Sequence, residues 1–280
     1  YNRETLDRAL TSLSKQSFRN FTVIISDNAG EDPRTLEVVN RFSTLLPEIY
    51  LIPQKQNIGS INNYAFLLSC ANTKYFMWLA DDDEISDNYV EELVKLLNKN
   101  PDSVSAMGRW YHMYNKDEGI YKKQLKNNSN NTLLRICKFI LLEADDAFFY
   151  SLYRTENIRN CNFGGYLYPN SNIASNFCYV FLLDLIMQGK VLYSNVATWK
   201  CHNYTQKQYG IAISSSKKEK IRTLIRRINV YLLYCYKVLR KDPIYLPIIL
   251  PVALLGFIVE LCKASFKILR DFLLRLNQHS

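Results

Sequence analysis

The 280-residue chain is 48% hydrophobic with a formal net charge of +9, apolar enough for a sizeable core and far from the composition of a wholly disordered chain. The charge is uneven: Lys217 to Lys241 holds nine Lys or Arg against one Glu, whereas residues 1–216 carry 22 of each sign. Basic residues interleaved with Ile, Leu and Tyr point to a membrane surface and away from nucleic acid.

Seven cysteines form no CxxC pair and show no zinc-ligand spacing, so they are expected to be reduced and mostly buried, as in a cytosolic protein. The chain starts at Tyr1 inside what reads as a helix-entry segment, and residues upstream are expected.

Leu6, Ala9, Leu10 and Leu13 have helical spacing, and the β-branched run Phe21 to Ser26 predicts a strand closed by Asp27. Asp32-Pro33 then supplies an N-cap and a first-turn proline for a helix with Leu36, Val39, Phe42 and Leu46 on its apolar face. Tyr50 to Ile52 is a short strand, and Asn57-Ile58-Gly59 opens a helix running to about Ala71. The apolar run Tyr75 to Ala80 predicts a buried strand that delivers Asp81, Asp82 and Asp83 to the carboxyl edge of a sheet, where open α/β sheets bind ligands.

Three adjacent carboxylates raise one another's pKa and need a cation or strong donors among them. The triplet therefore reads as a metal site or as an acidic turn that, with Ser86 and Asp87, caps a helix from Tyr89 to Leu97. Alternating helices and strands predict a doubly wound, mostly parallel sheet.

Beyond Pro101 the alternation weakens. Val104 to Tyr114 and Ala147 to Tyr153 read as strands, and Thr132 to Leu142 and Ile173 to Met187 as helices. Lys217 to Leu239 is a further helix, followed by another segment past Pro243. No GxGxxG follows a strand, which disfavours a Rossmann dehydrogenase.

In order along the chain stand Tyr1-Asn2-Arg3-Glu4, Ala9 to Leu13, Gln16-Ser17-Phe18, Ser26 to Asp32, Asn57-Ile58-Gly59 with Asn63, and Leu79 to Asp83. This series resembles the family 2 nucleotide-sugar glycosyltransferases of polysaccharide-biosynthesis type. The resemblance is specific over residues 1–110 and looser to about 210.

It implies an α/β GT-A fold, Rossmann-like with helices on both sheet faces, whose first strand would precede Tyr1 and line the nucleotide pocket. Residues 1–110 would form the nucleotide-sugar half, 111–212 the acceptor half, and 213–280 a helical, membrane-associating appendage. It also implies a UDP- or dTDP-linked donor, a glycan or lipid-linked acceptor, Mn²⁺ or Mg²⁺, and inversion at the anomeric carbon. A catalytically silent nucleotide-sugar binder of the same fold is the rival reading.

By resemblance, Tyr1 joins the donor site. Asp27 accepts a hydrogen bond from the pyrimidine imide N–H, which a carboxylate suits, or else simply caps a turn. Asn57 and Gly59 lie along the nucleotide, or form a plain helix N-cap. Asp81 faces the donor sugar or ribose, and Asp82 with Asp83 holds the metal, since Mg²⁺ takes one or two carboxylates plus phosphate oxygens. His202 is a late ligand or a hydrogen-bonded structural residue.

The family's carboxylate base falls near Asn176, which is not an acid. Asp145-Asp146 are the substitutes, unless they only cap a helix end. Asp184 is a poorer one, inside a helix.

In the tail, Ile244 to Cys262 has one charge, Glu260, and two prolines, Pro247 and Pro251. Lys263 to Leu276 is basic and amphipathic. Together they predict peripheral or re-entrant attachment at the cytoplasmic face, against the alternative of a buried helical pair.

Overall fold

The structure is a computed structural model that describes residues 3–28, 33–113, 119–122, 128–142, 146–161, 177–202 and 230–259. It opens with helix α1 (Arg3–Ser14), strand β1 (Val23–Asp27), α2 (Pro33–Phe42), β2 (Ile49–Pro53) and α3 (Ser60–Cys70). Helix α1 buries Leu6, Ala9, Leu10 and Leu13 as their spacing predicts, and α2 buries Val39 and Phe42, but Leu36 is half exposed. β1 and β2 run parallel, with Asp27 opposite Pro53.

The chain continues with β3 (Tyr75–Phe76), β4 (Glu84–Ile85), α4 (Tyr89–Lys99), β5 (Ser103–Met113), β6 (Gly119–Lys122) and α5 (Thr132–Leu142). A 3₁₀ turn (Asp146–Tyr150), β7 (Leu152–Arg154), α6 (Thr155–Arg159), α7 (Phe177–Gln188) and β8 (Lys190–His202) follow. The second sheet has the order β3-β7-β5-β8-β4, with β6 paired to β5. Among the described strands, β1–β2 and β5–β8 are parallel, and the other four pairings are antiparallel. The α/β architecture stands, with more antiparallel pairing than the alternation predicts.

Two elements differ from expectation. The run Tyr75 to Ala80 pairs only at Tyr75 and Phe76, because its partner β7 is three residues long. Ala147 to Tyr150 is a 3₁₀ turn and not strand, held by the Tyr153 hydroxyl, which donates to the carbonyls of Phe148 and Phe149 at 2.7 Å each.

Aromatic residues fill the space between these elements. Trp78 stacks on Phe149 at 4.5 Å and meets Tyr64, Tyr153 and Phe181 edge-on, geometries that favour the ring quadrupoles. Arginines satisfy carbonyls left over at helix ends. Arg154 donates to Leu97 in the last turn of α4 and to Asn100 just past it, Arg135 to Ile186 and Met187 of α7, and Arg159 to Ala71 after α3.

The described tail is helical over 230–241 and 246–259, here α8 and α9. Tyr234, Val238, Ile249 and Ala253 are buried. A Cβ on Gly256 would lie 2.9 Å from the Tyr231 ring and 3.1 Å from the Ile140 carbonyl, so α9 packs closely on α8 and α5. Among the described residues no helix is long and apolar enough to cross a membrane.

Candidate active site

Two sets of residues converge from the sequence motifs. The first is built where β1 ends and α3 begins. Asn28 Nδ2 donates to Asn57 Oδ1 at 3.0 Å, the Ile58 amide to Asn28 Oδ1 at 3.0 Å, and the Gly59 amide to Asn57 Oδ1 at 2.8 Å. Ser26 donates to Asn63 Oδ1 at 2.6 Å and accepts from Gln54 at 3.0 Å.

Asn57, though exposed, thus fastens its loop to Asn28, just past the end of β1. Gly59 has φ 81 and ψ 155, a region nearly closed to side-chain-bearing residues. Since a Cβ there would meet nothing within 4 Å, backbone conformation and not crowding by the protein requires glycine. Asp27, buried at the end of β1, sits beside this network.

The second set surrounds the triplet. Asp81 and Asp82 lie in a turn closed by the Asp83 amide on the Ala80 carbonyl at 3.2 Å. Asp83 is 2% exposed. Its Oδ2 accepts from the Trp199 indole at 3.0 Å and its Oδ1 from the His202 amide at 3.1 Å. Both oxygens are thereby tied to β8, and Asp83 anchors the loop. Asp81 and Asp82 are partly exposed, and Arg8 donates to the Asp82 carbonyl at 2.6 Å.

Burial pushes all three carboxyls up. Asp83 reaches about 8 through burial and then the neighbouring Asp82 charge. For Asp82, burial and the Asp81 charge outweigh the opposing pull of Arg8 and His202.

Beyond the triplet, Glu84 Oε1 lies 3.4 Å from His202 Nε2 and 2.8 Å from Lys200 Nζ. The nearby His202 ring, with Lys200 assisting, holds Glu84 down at about 2 against its partial burial. His202, almost fully buried, therefore directs its ring to Glu84. Trp199 stacks on Trp110 at 5.7 Å and meets Tyr150 at 5.0 Å.

Helix α3 links the two sets. Its start carries the Asn57 network, while Tyr64 accepts the Trp78 indole at its carbonyl and feels the charges of Asp81 and Asp83.

Gln16, part of the sequence motif, is a buried stitch. Its side chain donates to the carbonyls of Ser12 and Ser86 and accepts from the Val90 amide, joining α1 to the start of α4. Asp184 is paired with Lys237 and Lys241.

Tyr1, Asp145 and Asn176 lie outside the described residues, as does the side chain of Asp146, whose backbone opens the 3₁₀ turn. Sequence reasoning missed Arg8, Glu84 and Trp199. The strand β8 that brings Trp199 and His202 to Asp83 was marked by Val191-Leu192-Tyr193 and Val196 to Trp199, a β-branched and aromatic pattern.

The residues that could hold a metal are part of the triplet. Asp83 is committed to β8, whereas Asp81 and Asp82 offer two partly exposed carboxylates, the number Mg²⁺ takes beside phosphate oxygens. Among the described residues no three His, Cys, Asp or Glu side chains are grouped to hold an ion unaided.

Residues 1–161 match the family model described as Glycosyl transferase family 2. An "Uncharacterized glycosyltransferase" of Haemophilus influenzae is 33% identical over 147 residues, half of this chain and 45% of that protein. The chain thus spans less than half of that relative's length. S. aureus TarS 1-349 in complex with UDP-GlcNAc superposes with a TM-score of 0.62 at 18% identity, covering 86% of this chain and 65% of that one. GalNAc-T7 with UDP, GalNAc and Mn2+ gives a TM-score of 0.50 at 14% identity, covering 71% and 41%. At such identities the likeness is one of fold.

Proposed function

The chain belongs to glycosyl transferase family 2, and from that premise we propose how a glycosyltransferase of GT-A fold uses these residues. The donor is a UDP- or dTDP-linked sugar, a reading supported by the UDP-GlcNAc held by one fold neighbour and the UDP held by another. Asp27 receives the pyrimidine, the Asn57–Gly59 loop follows the nucleotide, and Asp81 faces the ribose or sugar.

Asp82, with Asp81, holds Mn²⁺ or Mg²⁺. When bound, that ion stabilises negative charge growing on the leaving diphosphate. Asp83 positions both acids through its two bonds to β8, and His202 supports the same loop through its amide and through Glu84. Sugar transfer proceeds by a single displacement with inversion, and Asp145 or Asp146 takes the proton of the attacking acceptor hydroxyl. The acceptor is a glycan or lipid-linked glycan near the cytoplasmic face of a membrane.

The observation that carries this reading is the division of labour in the triplet: one carboxylate locked into the sheet, two left partly exposed on the loop it fixes. Asp82→Ala is expected to lower Mn²⁺-dependent turnover of a UDP-sugar about a thousandfold, equivalent to several kcal/mol of lost charge stabilisation. Unchanged turnover in that variant removes Asp82 from the site. Asp146→Asn in the same assay is expected to depress kcat, and wild-type kcat there would eliminate it as the base.

A further inference from the structure

The tail carries an apolar surface that the catalytic reading does not use. Residues 244–259 contain no charged side chain. A helix apolar on every side is ordinarily enclosed, yet α9 is enclosed on one side only. Ile249, Ala253 and Gly256 face the domain. On the opposite side Ile248, Leu250, Leu254, Leu255 and Ile258 are each about half exposed, and just before the helix Ile244 is 79% exposed.

The flanks indicate what covers this face. Arg240 and Lys241 are exposed where α8 ends, next to Asp242, and the sequence supplies Glu260 and then Lys263, Lys267 and Arg270 soon after α9, so both flanks are net basic. An apolar face bracketed by basic residues suits the boundary between anionic headgroups and acyl chains. A typical protein interface carries about ten direct hydrogen bonds, whereas the side chains of 244–259 offer no polar group beyond the Tyr245 hydroxyl.

We propose that the exposed face of α9, with Ile244, lies on an anionic lipid surface, its axis along the membrane plane and the domain above it. This inference rests on the tail and is independent of the donor-site reading.

The test is co-sedimentation of the full chain with phosphatidylcholine vesicles, with and without phosphatidylglycerol. Wild type is expected to bind the anionic vesicles and to bind neutral ones more weakly. Leu254→Gln/Leu255→Gln/Ile258→Gln should reduce partitioning on the order of a hundredfold, and the single Ile244→Gln, at a site too exposed to affect the core, about threefold to tenfold. Unaltered binding in both variants would overturn the proposal. So would a wild-type chain that ignores vesicles and forms a dimer broken by the triple variant, since the face would then belong to a second copy.

Discussion

The triplet at 81–83 and Asp184 in α7 both take carboxylates at least partly out of water, but they are neutralised in different ways. Asp184, 2% exposed, is paired with the equally buried Lys237, and Lys241 approaches its other oxygen at 3.2 Å. Lys237 also donates to the Val180 carbonyl at 2.7 Å. Two ammonium groups around one carboxylate make a fastening between α7 and α8. At the triplet three acids share the neighbourhood of Arg8 and His202, and burial pushes each carboxyl up. A carboxylate matched by ammonium groups stabilises packing, whereas an acid-rich cluster is costly in the free protein and would be relieved by a cation.

The largest effect should come from unbalancing Asp184. Asp184→Leu leaves the Lys237 ammonium buried without its carboxylate and is expected to cost about 3–5 kcal/mol in urea unfolding. Adding Lys237→Met should recover most of that loss, because an apolar pair of similar volume replaces the ions. If the double variant were as unstable as the single one, charge balance would not be what this junction supplies.

The triplet should respond in the opposite sense, gaining stability when a cation is added. UDP with Mn²⁺ at about a hundred times its dissociation constant is expected to raise unfolding stability by about 2.7 kcal/mol. The gain should vanish in Asp82→Ala and persist in Asp184→Leu/Lys237→Met. Equal stabilisation of all three proteins would place the ligand elsewhere.

The sequence showed most clearly what one segment decides by itself. Leu6, Ala9, Leu10 and Leu13 mark a buried helix face, and Asn57-Ile58-Gly59 marks the start of α3, because both follow from local spacing and backbone conformation. The triplet was conspicuous for the same reason. Its internal division was not, because Asp83 is set apart by donors from β8, Trp199 and His202 among them, more than a hundred residues away. Likewise Asp184 looked like an isolated acid within a helix until Lys237 was brought beside it. Leu36 fits a helical apolar spacing and is nonetheless exposed, since pattern alone does not set the width of the buried stripe.

The smallest effect separates the anchor from its two neighbours. Asp83 has its carboxyl raised from an ordinary 3.8 to about 8, first by burial and then by Asp82. Between those values the folded chain keeps a proton that the unfolded chain releases. The associated stability is therefore complete below about pH 4, declines as pH rises, and is gone above about pH 8, with a slope of at most about 1.4 kcal/mol per pH unit. Asp83→Asn retains one oxygen acceptor for β8 but cannot ionise. It should lower stability at acid pH and flatten the decline, measured as unfolding midpoints from pH 4 to 8. A variant that lost stability with pH as steeply as wild type would show that the proton resides on Asp81 or Asp82, and that the anchor and the two partly exposed acids are not electrostatically distinct.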